Sequence, residues 1–200
     1  MSRKLQPGRL VAATHNKGKV SELKDLFEPL GFEVVSGIEL DLDEPDETEF
    51  TFEGNALIKA RAAAQATGSP ALSDDSGLEV AALGGMPGVH TAIWAGEPRD
   101  FYKAMEKVER ELVAINAKDR SAKFVSCLAV AWPDGTEVTF RGEAHGTLTW
   151  PPRGDMGFGY DPVFVPVGHD VTFAELEPAQ KHAMSHRAVA FDKLKAALLK

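Results

Sequence analysis

Residues 9–36 constrain the fold more than any other part of this 200-residue chain. Residues 9–14 (RLVAAT) are a short apolar run ending in a polar turn, the pattern of a buried strand. From Lys19 onward, Val20, Leu23, Leu26/Phe27 and Leu30 recur at helical spacing until Gly31, and residues 32–36 form a second strand candidate. Strand, helix and strand in that order predict a parallel pair joined by a right-handed crossover, which places the chain in the α/β class.

The rest of the chain extends that class. Residues 41–49 hold six acids and no base. Thr51 opens an alanine-rich helix that ends at Gly68, and residues 70–73 enter a strand running into Asp74-Asp75-Ser76-Gly77. A third helix is predicted over 99–116, with Phe101, Met105, Val108 and Leu112 on one face. Residues 123–132 and 136–141 predict a hairpin around Pro133-Asp134-Gly135, and a Gly/Pro-rich segment, 150–162, follows. Thr172 and Glu175 make a capping-box pattern, and Ser185 is the N-cap candidate of a last helix with Phe191, Leu194 and Leu198 inside. No repeat or linker divides the chain, so a single domain over 1–200 is expected.

Composition sets the class of partner. A net charge of −8 opposes non-specific binding to a nucleic-acid backbone, but leaves room for a small polyphosphate held by a few cations and a divalent metal. No apolar run approaches the ~20 residues that span a bilayer. Residues 1–8 have no apolar core of the kind a secretory signal needs. Cys127, the only cysteine, sits in an apolar strand and reads as a small core residue. The expectation is a cytoplasmic protein with neither nucleic acid nor membrane as partner.

Several segments have the residues for chemistry. Thr14, His15, Asn16, Lys17, Gly18 and Lys19 lie between a strand and a helix start, where N–H groups and the helix dipole favour an anion. An ordinary polar turn would have the same composition, and it is not a Walker A loop, because Ala13 and Val20 replace the required glycine and hydroxyl. Asp74-Asp75 is expected at a strand's C-terminal end, where open α/β sheets bind ligands. Adjacent strand residues face opposite ways, so one of the two, Asp75, is expected to face the ligand. The 41–49 stretch is either a solvated loop or the donor of a carboxylate to a magnesium ion bridging phosphates. In Phe158-Gly159-Tyr160-Asp161, aromatics among glycines beside an acid suit stacking on a base, or a rigid surface turn. His186 and Arg187 fall in a helix's first turn, where cations are unfavourable unless an electron-rich partner is present.

Five segments in order are ATHNKGKVSEL (13–23), ETEFTFEGNALIKA (47–60), LSDDSGLEVAALGGMPGVHTAIWAG (72–96), FGYDP (158–162) and KHAMSHRA (181–188). Together they resemble the inosine/xanthosine triphosphate pyrophosphatase family over almost the whole chain. The resemblance implies a twisted mixed sheet flanked by helices, in two lobes with the active site in the cleft between them. It implies hydrolysis of ITP, dITP and XTP to monophosphate and pyrophosphate, with Mg²⁺ as cofactor and a homodimeric assembly. Residues 14–19 and Lys59 would bind substrate, chiefly its phosphates. Asp75 would be the catalytic residue and a metal ligand, Ser76 would touch substrate, and Glu47 would be the second metal ligand, with Glu44 and Asp46 close by in sequence. Residues 158–161, Lys181, His186 and Arg187 would form the base side. Gly54 stands where many relatives carry glutamate, and Ile93 where an arginine is common. Two rival readings stay open: a nucleotide pyrophosphatase with another base preference, and a nucleotide sensor that binds without turnover.

Overall fold

A computed structural model describes residues 3–199; the first two residues of the stretch read as lacking a secretory signal lie outside them. Six strands form one mixed sheet in the order β2-β1-β3-β4-β5-β6. They are β1 (Arg9–Ala12), β2 (Glu33–Ser36), β3 (Ala71–Val80), β4 (Ser121–Ala131), β5 (Glu137–Leu148) and β6 (Phe164–Pro166). The helices are α1 (Lys17–Phe27), α2 (Phe52–Thr67), α3 (Thr91–Ala95), α4 (Phe101–Ala114), α5 (Pro178–Met184) and α6 (His186–Leu198). The expected opening is present: β1 pairs in parallel with β2, Arg9 against Glu33 through Ala12 against Ser36, and also with β3, Val11 against Ala71. At the other end β5 and β6 run antiparallel.

The chain forms two compact units, 1–75 with 126–142 and 190–200, and 76–125 with 143–189. Each has its own core. In the first, Leu23 and Phe27 of α1 pack with Leu10, Leu72, Leu128, Phe191 and Leu194. Phe27 meets Phe32 and Phe191 edge-on, at centroid distances of 5.6 and 5.0 Å. In the second, Met105, Val108 and Leu112 of α4 pack with Phe124, Tyr160, Phe164 and Phe173.

The helix ends obey their sequence signals. Asn16 caps α1, Thr51 caps α2, and Gly68 ends α2 in the left-handed conformation that lacks a Cβ penalty. The Thr172–Glu175 capping box is formed, closing a single 3₁₀ turn (Phe173–Glu175), and Ser185 Oγ accepts from the Ala188 N–H at 3.1 Å. Two strands are longer than predicted. β5 runs past Arg141 to Leu148, because Gly146 is a point of close approach: a Cβ there would lie 2.3 Å from the Val165 carbonyl oxygen. β3 does not stop at Asp74-Asp75 but continues for five more residues. Both faces of β3 are covered, so alternate polar side chains find partners on each side and the strand has no cause to end there.

Cys127 is fully buried in β4, and burial pushes its thiol up to about 12. At pH 8 the thiolate fraction is then on the order of 10⁻⁴. The native protein is expected to resist a thiol-specific chromogenic reagent at pH 8 and to react with one equivalent on unfolding. Rapid native labelling counts against this buried placement.

Candidate active site

The alternation of β3 splits its two aspartates. Asp74 is fully buried; its Oδ1 accepts from Ser126 Oγ at 2.8 Å and its Oδ2 lies 3.6 Å from Lys19 Nζ of α1. Asp75 faces α2, where Lys59 Nζ stands 3.3 Å from its Oδ1. The Asp74 carbonyl oxygen accepts from both lysines, at 3.1 Å from Lys19 and 3.4 Å from Lys59. Two ammonium groups therefore converge on one backbone oxygen, beside the Asp75 carboxylate.

The alanines of α2 make this approach possible. Ala56, Ala60, Ala63 and Ala64 are buried, and the Ser73 hydroxyl donates to the Ala56 carbonyl, tying the helix to β3. Lys59 shares that buried face at 5% exposure and also reaches Glu47 Oε1 at 2.6 Å. Glu47 is thus the acid of the 44–47 stretch that shares an ammonium with Asp75; Glu44 instead lies 3.7 Å from His15. The acidic loop is pinned at both ends. His15 Nε2–H donates to the Leu42 carbonyl at 2.8 Å, and buried Asn55 accepts the Glu49 N–H at 2.9 Å. Gly54 is explained in the same way: a Cβ there would fall 2.6 Å from both Cβ and Cγ of Glu49. Beneath the loop lies a cavity of about 260 Å³, lined by His15, Gly37, Leu42, Pro45, Lys59 and Ala63 among others.

Burial and charge compete at both partners. Burial works against the Lys59 ammonium, but the Asp75 and Glu47 carboxylates outweigh it and hold its pKa above the usual lysine value. Burial raises Asp75 above the ordinary 3.8, against the pull of Lys59 and Lys19. Asp75 Oδ2 is buried with no hydrogen-bond partner. Among the described residues no three acids, histidines or cysteines form a closed metal cage. One or two carboxylates with an unused oxygen are nonetheless the donor set Mg²⁺ takes when its other positions go to water and phosphate, so Glu47 and Asp75 fit that ion.

The expected anion turn is arranged differently. Asn16 Oδ1 accepts the Gly18 and Lys19 N–H groups at 2.9 and 3.2 Å, so those donors serve the cap. Thr14 is buried, its hydroxyl accepting from the Asn16 N–H at 3.2 Å, while Lys17 is exposed. What remains of the turn for a ligand is the Lys19 charge and the helix dipole.

The second unit gathers the other candidates. Asp161 is buried, and its Oδ2 accepts from Lys181 Nζ at 2.6 Å and from the Phe158 N–H at 2.8 Å. A Cβ on Gly157 would sit 2.2 Å from that oxygen, and Gly159 has a φ of +69°. The Lys181 ammonium lies 4.7 Å from the Phe158 ring centroid, and that ring is partly exposed. Tyr160 is not available for stacking on a base: its ring is buried against Phe101 and its hydroxyl donates to the Thr91 carbonyl. His186 stacks on Phe124 at 5.0 Å, and Arg187, 2% exposed, donates to Ser76 Oγ at 3.4 Å. Ser126 and Asn55 are not among the residues expected from the sequence, although Ser126 is a lone polar residue inside the apolar segment 124–130.

Two lysines and two carboxylates thus come together on one α/β sheet. The Ham1 family model matches residues 10–197. The dITP/XTP pyrophosphatase of Caulobacter vibrioides is 60% identical over 190 residues, covering 95% of this chain and 97% of the relative. That of Rhodospirillum centenum is 59% identical, covering 92% of each. A HAM1 protein from Coxiella burnetii superposes with a TM-score of 0.87 at 38% identity, over 94% of this chain and 96% of the other. The chain belongs to the Ham1 family.

The raised pKa of Asp75 has a definite sign for stability. The folded chain keeps this proton to higher pH than the unfolded chain, so stability falls as pH rises from 3.8 through the folded value. In EDTA, Asp75→Asn is expected to melt above wild type at pH 7, with the difference shrinking as pH falls toward 3.8. A lower melting temperature for the variant at pH 7 contradicts this.

Proposed function

We propose that the chain hydrolyses non-standard purine nucleoside triphosphates (ITP, dITP and XTP), releasing pyrophosphate and a nucleoside monophosphate. The observation that carries this reading is the convergence of Lys19 and Lys59 beside Asp75, in a chain 60% identical to a dITP/XTP pyrophosphatase. Of the 14–19 turn, Lys19 and the start of α1 take the phosphate side together with Lys59. Phe158, Gly159, Asp161, Lys181, His186 and Arg187 take the base side, with Ser76 at the substrate.

In this reading water attacks the α-phosphorus, its oxygen forms the new P–O bond, and the bond to the β-phosphate oxygen breaks. Asp75 orients the water and accepts its proton. Lys19 and Lys59 stabilise the charge that develops on the departing pyrophosphate. Glu47 and Asp75 would hold Mg²⁺, which when bound would supply Lewis-acid neutralisation of phosphate charge. Donors on His186 and Arg187 suit the 6-oxo acceptor of hypoxanthine and xanthine and leave adenine's 6-amino donor unpaired, which costs affinity strongly in a buried site.

Homodimerisation and cytoplasmic residence complete the proposal. Ile93 is 71% exposed, an apolar side chain at a position open to a second copy, and sedimentation equilibrium tests the dimer. Among the described residues no helix is long and apolar enough to cross a membrane.

A panel of ITP, XTP, GTP, ATP, dUTP and dTTP, read by pyrophosphate release with and without Mg²⁺, tests the activity. Metal-dependent release from ITP and XTP is expected, with ATP and the pyrimidines far slower. A pyrimidine preference would place the chain among pyrophosphatases of another specificity, and tight ITP binding without turnover would make it a sensor. Asp75→Asn should abolish most turnover and weaken the metal dependence; near-normal release by this variant refutes its assignment.

A further inference from the structure

We propose that Lys59 stands in for the metal in the nucleotide-free protein, and yields the two carboxylates only when a triphosphate offers it new partners. The proposal rests on the assignment of Glu47 and Asp75 as the metal-holding pair.

An ammonium has three N–H donors and no more. Lys59 has three acceptors in reach: Glu47 Oε1 at 2.6 Å, Asp75 Oδ1 at 3.3 Å and the Asp74 carbonyl at 3.4 Å. Its hydrogen-bonding capacity is then spent, and Asp75 Oδ2 stays buried without a partner. The resting arrangement thus resembles a cation site filled by a cation with too few bonds to complete it. A divalent ion held by the same carboxylates would meet the ammonium's like charge at close range, and on the Asp75 side, where Asp75 and Lys59 are both buried, little water screens it. Both cations cannot hold the same oxygens, so the ammonium must move.

Lys59 already lies beside Lys19 at the Asp74 carbonyl, which accepts from both ammoniums. Phosphate oxygens arriving beside Lys19 would supply acceptors to replace the carboxylates it leaves. Nucleotide and metal then assist each other through one side chain, and such coupling is reciprocal. The free protein should bind Mg²⁺ weakly for a specific reason, the competing ammonium, and not for want of donors. A purely structural ion pair makes the opposite forecast, because removing the lysine would then only loosen the carboxylates.

Titration calorimetry with MgCl₂ alone, on the full chain without nucleotide, separates the two. Lys59→Met and Lys59→Gln are expected to bind Mg²⁺ at least about tenfold more tightly than wild type. Their melting temperatures are expected to rise in millimolar MgCl₂ by more than that of wild type, since the ion restores the missing positive charge. Equal or weaker binding by both variants overturns the proposal, as do variants that melt alike in EDTA and in MgCl₂. Glu47→Gln and Asp75→Asn test the assignment beneath it. If neither changes the Mg²⁺ requirement of hydrolysis, the carboxylate assignment falls and the proposal with it. A changed requirement alongside unchanged affinity in the Lys59 variants removes the stand-in role alone.

Discussion

The twofold alternation of β3 is the constraint on which the site depends. Successive side chains of a strand point to opposite faces, and both faces of this strand are buried. Asp74 is therefore turned toward Ser126 and Lys19, and Asp75 toward Lys59 on α2. One carboxylate anchors a lysine and the other shares one with Glu47. A single peptide unit separates these tasks, and its carbonyl joins the two lysines.

Such an arrangement is sustained by what surrounds it. Leaving a buried charge without its counter-charge costs about 3–5 kcal/mol, a large share of a typical domain's stability. Charge in the first unit is accordingly grouped: two ammoniums stand against Asp74, Asp75 and Glu47. The alanine face of α2 lets the long Lys59 side chain run between helix and strand, where a larger residue would hold the backbones apart. Asp75 Oδ2 is the exception, a buried acceptor left over within an otherwise satisfied cluster.

Much of this was legible in the residues. The 3.6-residue spacing of Val20, Leu23 and Phe27 and the caps at Thr51, Thr172 and Ser185 report local preferences, and local preferences decided those elements. The opposed faces of Asp74 and Asp75 follow from strand geometry alone. The length of β3 was not legible, because Asp-Asp-Ser-Gly reads as a turn until partners from α1, α2 and β4 satisfy it. The Asn16 cap took the N–H groups that a helix start offers an anion, a competition between two uses of the same atoms. Tyr160 likewise looks like a stacking residue among glycines, and only tertiary packing shows it to be core. That Glu47, and not Glu44, reaches Lys59 follows from the loop's path, which His15 and Asn55 fix from outside it.

Gly54 has a meaning for how this chain can change over time. Glycine within a helix costs about 1 kcal/mol relative to alanine, yet here the vacant side-chain position is filled by Glu49 from the acidic loop. Positions 49 and 54 therefore share one volume. A side chain gained at 54 must displace that of Glu49, two residues beyond Glu47, whose backbone N–H is held by Asn55. The two positions cannot drift independently, and a lineage that exchanged glycine for glutamate at one would have to clear the other first.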